Sequence, residues 1–115
     1  MTAPHLVIFD CDGTLVDSQN AIVASMEHAF RVHDFEPPSR DAILSIVGLS
    51  LPQAVHVLLP GHPVELAHQV SESYKTGFGA TLVDEAKRDP LFHGALGAIT
   101  ALAGRDDVLL GIATG

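Results

Sequence analysis

Residues His5–Phe9 form a short apolar run, rich in β-branched and aromatic side chains, that ends on Asp10. Without alternation, such a run predicts a strand covered on both faces, as in a parallel sheet. From Ser18 the period becomes helical. Ile22, Met26, Ala29 and Phe30 share one face, Asp17 or Ser18 is the candidate N-cap, and Pro37-Pro38 closes the segment. Ser39 caps a second short helix carrying Ile43, Ile46 and Val47, with Gly48 as its stop. Ser50 and Gln53 read as a capping box opening a third helix, with Pro52 in its first turn and a stripe of Leu51, Ala54, Val55 and Leu58. Pro60-Gly61 breaks it. A fourth helix from Pro63 presents Leu66, Ala67, Val70, Tyr74 and Phe78.

Residues 79–93 carry mixed signals, ending in RDPLFHG, which reads as a loop. A helix bearing Leu96, Ile99, Leu102 and Ala103 comes next, stopped by Gly104. Asp106-Asp107 then turn the chain into Val108–Ala113, a second strand of the buried kind. No internal repeat or low-complexity segment interrupts this order.

Two similar strands joined through a helix favour a parallel pair. The stretch from Asp17 to Arg88, about seventy residues, is far longer than a crossover requires. An all-helical insertion of that length forms its own small unit, placed as a lid. The expected class is therefore α/β: a Rossmann-like parallel-sheet core from residues 1–16 and 89–115, incomplete with two strands, and a helical cap from residues 17–88.

Composition narrows the partners. The chain has 115 residues, a formal net charge of −8, and 47% hydrophobic against 17% charged residues. It reads as one globular domain by length and not as a disordered tract. The acidic balance argues against nucleic acid or an anionic membrane as partner. It leaves an anionic substrate open, because a bound divalent cation reverses the local sign. One cysteine, Cys11, allows no internal disulfide, which fits a reducing cytoplasm. No apolar run approaches the ~18 residues of a membrane span, and the N-terminus lacks the pattern of a secretory signal.

Chemistry gathers where the strands end. In open α/β sheets, ligands bind outside the carboxyl ends of the strands. Asp10, Asp12 and Gly13 stand at the end of the first strand, and Thr114 and Gly115 at the end of the second. An ionised Asp10 partly stripped of water calls for a cation, and Mg²⁺ suits all-oxygen ligands while keeping waters and a phosphate. The side chain of Asp12 reaches the same space, and its carbonyl turns toward the metal. Gly13 permits the tight turn and brings backbone N–H groups near an anion. The Thr114 hydroxyl and Gly115 N–H are further phosphate donors. Asp10 is thus the candidate nucleophile, forming an aspartyl phosphate. Asp12 is the candidate acid for the leaving alcohol and then the base for water.

The stretch FDCDGTLVDS resembles the first motif of the haloacid dehalogenase superfamily in its two-aspartate phosphatase form, and LLGIATG resembles the second. The insertion is placed like the helical cap of the subfamily containing phosphoglycolate phosphatases and β-phosphoglucomutases. VGLSLPQAV and LFHGALGAITAL also resemble phosphoglycolate-phosphatase-like members. The resemblance covers essentially the whole chain. It implies Asp10 as nucleophile and metal ligand, Asp12 as general acid/base with its carbonyl on the metal, and Thr114 as the phosphate-binding hydroxyl. Asp12 favours phosphoryl transfer over dehalogenation. The superfamily's later Lys and acidic pair have no match within these residues, so the chain alone is expected to lack competent phosphatase activity.

The implied function is a Mg²⁺-dependent phosphatase for a small phosphorylated metabolite, phosphoglycolate-like, in the cytoplasm. The alternatives are a phosphosugar mutase using the same nucleophile, and a truncated, non-catalytic module. The outer faces of Val7, Phe9, Leu110 and Ile112 are expected to be covered by further chain or by a partner, a second copy included. Plainer roles are expected elsewhere. Cys11 reads as packed, Tyr74 as packed and Lys75 as solvated in preference to facing substrate, and the seven His show no ligand-like clustering; Gly48-Leu49-Ser50 reads as a helix break, while the resemblance implies a substrate-facing cap loop there.

Overall fold

The computed structural model describes residues 3–84 and 89–114. Its elements run β1 (His5–Asp10), α1 (Gln19–Val32), α2 (Arg40–Ser45), α3 (Leu51–Leu58), α4 (Val64–Val83), α5 (Ala95–Ala103) and β2 (Val108–Ala113). By its contacts the chain divides into two units, residues 1–18 with 89–115, and residues 19–88. Arg88, the expected end of the cap, and Gly115 lie outside the described residues.

In the first unit β1 and β2 pair in parallel, with His5 opposite Val108 and Asp10 opposite Ala113. This mixed helix and parallel-strand arrangement is the expected class, and among the described residues the sheet has two strands. Helix α5 packs against β2. As expected of a two-stranded, incomplete core, the strands are left open, Ile112 and Leu110 among the exposed residues. On β1 the open positions are Leu6 and Ile8, about 60% exposed like Leu109 and Ile112, while Val7 and Phe9, expected on the uncovered face, are half-buried. The apolar runs are therefore shaped for a wider, covered sheet than these residues build by themselves. Leu96 of α5 is likewise exposed.

The helical unit has the better core. Ile22, Met26, Ala29 and Phe30 of α1 meet Ile43, Ala54, Val55 and Val70, all buried. Helix α1 packs on α4 and α2, and α3 packs on α4. Ser39 caps α2 as its position predicts, accepting a hydrogen bond from the N–H of Ala42 at 3.2 Å. Ser50 has extended backbone at the start of α3 but makes no side-chain capping bond, against the expected capping box. Pro52 explains part of this, since it removes one of the N–H groups such a cap would satisfy.

Helix α4 runs on to Val83, through the first residues of the stretch with mixed signals. Gly77 and Gly79 weaken the local helical signal, but packing against α1 overrides it. Tyr74 is half-buried and stacks on Phe78 with ring centroids 5.8 Å apart. Lys75 is exposed and pairs with Glu72 at 3.1 Å. Among the described residues no helix is long and apolar enough to cross a membrane.

Candidate active site

The site is built by residues 11–17, directly beyond β1. Their backbone folds around one acceptor, the carbonyl of Cys11. It receives N–H groups from Thr14 at 3.2 Å, Leu15 at 2.9 Å and Val16 at 3.1 Å. Gly13 takes a φ of +78°, a left-handed conformation costly for other residues. Its N–H donates to the Val16 carbonyl at 2.9 Å, so in this conformation the donor expected for an anion is already engaged. Leu15 anchors the turn by being 5% exposed.

A second segment of the same unit closes the turn. Phe92 donates its N–H to the Leu15 carbonyl, and Asp17 donates to the Pro90 carbonyl, both at 2.9 Å. Val16 and Leu91 form the antiparallel bridge between them. The two connections to the helical insertion are therefore tied to each other within the sheet unit.

The carboxylate of Asp10 accepts the N–H of Cys11 at 2.9 Å. Asp10 and Asp12 are both exposed, and Cys11 is half-buried as a packed residue. The expected desolvation of Asp10 is absent, because the two described strands leave nothing to shield their tips. Register places Asp10 beside Ala113, so Thr114, also exposed, leaves β2 at the level where Cys11 leaves β1. The structure thus brings the Asp10–Gly13 loop and Thr114 to one end of the sheet. Among the described residues no group of three or more His, Cys, Asp or Glu side chains could hold a metal ion.

Sequence reasoning overlooked Asp89. Its carboxyl is held above the ordinary 3.8, first by burial and then by the negative charges of Asp12 and Asp17. The pairing of residues 15–17 with 90–92 brings this third acid into the field of the loop. No local pattern announces it, because the pairing spans the whole helical insertion.

The fold and loop define a class: an α/β protein with an Asp-x-Asp turn at the tip of its first strand. Residues 7–115 match the haloacid dehalogenase-like hydrolase family, and the chain belongs to that family. The tyrosine-protein kinase PtkA of Mycobacterium tuberculosis is 35% identical over 78 residues, 68% of this chain and 26% of that protein. Its solved structure aligns over 98% of this chain and 49% of its own, with 31% identity and a TM-score of 0.78. A predicted phosphatase from Clostridium acetobutylicum aligns with a TM-score of 0.79 and 21% identity, over 98% of this chain and 50% of that one. A predicted phosphoglycolate phosphatase from Haemophilus somnus gives 0.75 and 19%, over 99% and 52%. The last two likenesses are of fold. The chain spans about a quarter of the curated relative's length and about half of each solved structure.

Proposed function

We propose that this chain carries the nucleophile half of a phosphatase acting on a small phosphorylated metabolite, with phosphoglycolate as the representative substrate. One observation carries the reading: Asp10, the Asp12–Gly13 turn and Thr114 share the carboxyl end of a parallel strand pair, in a chain of the haloacid dehalogenase-like hydrolase family.

The Asp10 carboxylate attacks phosphorus, forming an acyl phosphate as the ester P–O bond breaks. Asp12 gives its proton to the departing alkoxide. Asp12, now ionised, takes a proton from water. That water attacks the acyl phosphate, releasing inorganic phosphate and restoring both acids. Thr114 donates its hydroxyl to a phosphoryl oxygen. The Asp10 carboxylate and the Asp12 carbonyl are hard oxygen donors suited to Mg²⁺, which when bound neutralises charge between carboxylate and phosphate. Further oxygen ligands and a cation steadying the intermediate are to come from outside the described residues. The helical unit serves as the lid that sets substrate choice, so exchanging residues 20–85 for another lid should change the preferred metabolite.

A second reading rests on the relationship to PtkA: the same Asp10 passes its phosphoryl group to a tyrosine hydroxyl in place of water. The test supplies the chain with a polypeptide bearing the superfamily's later Lys and acidic pair, then assays Mg²⁺-dependent turnover across phosphorylated metabolites. Mass spectrometry of the trapped intermediate should find phosphate on Asp10. Turnover with the phosphoryl group on another residue would sink the reading, while net transfer to tyrosine peptides would select the kinase.

A further inference from the structure

We draw no further inference here: the strongest candidate, the open apolar groove between α3 and α4 walled by Leu49, Pro52, Val57 and Val64, carries nothing because nothing in the structure shows what covers it.

Discussion

Asp10 and Ala113 are register partners at the carboxyl ends of β1 and β2. One strand spacing, ~4.8 Å, separates their backbones, so chemistry launched from Asp10 is within reach of Thr114, the next residue after Ala113. Asp10→Asn should abolish turnover in the complemented enzyme by more than about a thousandfold, as for other groups that act as a unit. The fold should persist, because Asp10 is exposed and an amide oxygen can still accept the Cys11 N–H. Single-turnover kinetics beside circular dichroism checks both halves of this expectation.

Asp12→Asn should cost about 10² to 10⁴ in rate, the usual worth of general acid–base catalysis. The loss in the first step should shrink for an aryl phosphate whose leaving group needs no proton. Equal loss for alkyl and aryl esters in that step would remove Asp12 from the acid's role.

Asp89 gives a pH dependence with a definite sign. Its carboxyl titrates above 3.8 in the folded chain, so over that interval the native state holds more protons than the unfolded state. Stability from this group therefore falls as pH rises through the interval and stays lower at neutral pH. Asp89→Asn should flatten the fall and raise the urea midpoint at neutral pH. Asp107 has the opposite sign. Its hydrogen bonds from Arg105, at 2.9 and 2.8 Å, hold it below 3.8. Its contribution is present above that value and lost as pH falls through the lowered one.

Two buried serines should respond differently to the same substitution. Ser25 is 2% exposed, and among the described residues its Oγ has no hydrogen-bond partner. Removing an unsatisfied hydroxyl should stabilise the helical unit by about 1 kcal/mol. Ser71 donates to the Ala67 carbonyl at 2.7 Å, so Ser71→Ala loses a bond of about 0.5–1.5 kcal/mol net. Better helix propensity returns up to about 0.5 kcal/mol. Urea unfolding should rank Ser25→Ala above wild type and Ser71→Ala at or below it.

Glycines separate in the same way. Gly79 lies inside α4 with nothing within 4 Å of an added Cβ, so Gly79→Ala should stabilise by about 0.5–1 kcal/mol. Gly48 has equal room but a φ of +103°, and Gly48→Ala should cost about 1–2 kcal/mol. Thermal midpoints of the two variants should move in opposite directions.

What the sequence revealed was mostly local. Ser39 announced its cap because donor and acceptor lie three residues apart, and Asp10–Gly13 announced a loop because an apolar run stopped on acids. The end of α4 was hidden, since residues 79–93 carry mixed signals and the packing against α1 that sustains the helix is not local. Asp89 was hidden more deeply. Its environment depends on residues 15–17 meeting 90–92, which no window along the chain contains. That a two-strand sheet leaves apolar side chains open was legible, but which face of β1 is open was not: a strand run without alternation does not say which side its one helix covers, and Leu6 and Ile8 are exposed where Val7 and Phe9 are half-buried.

The pairing of strands from opposite ends of the chain sets an order of assembly. The α1–α4 contacts close a shorter loop than the β1–β2 contacts, which must close almost the whole sequence. Closing that loop as free coil would carry its full entropic cost. A helical unit that folds first replaces most of the coil with a rigid body. The Asp17–Pro90 and Leu15–Phe92 hydrogen bonds can then zip the two connections before the strands align. Until then the backbone N–H and C=O groups of β1 have no strand partner, which makes it a segment open to mispairing.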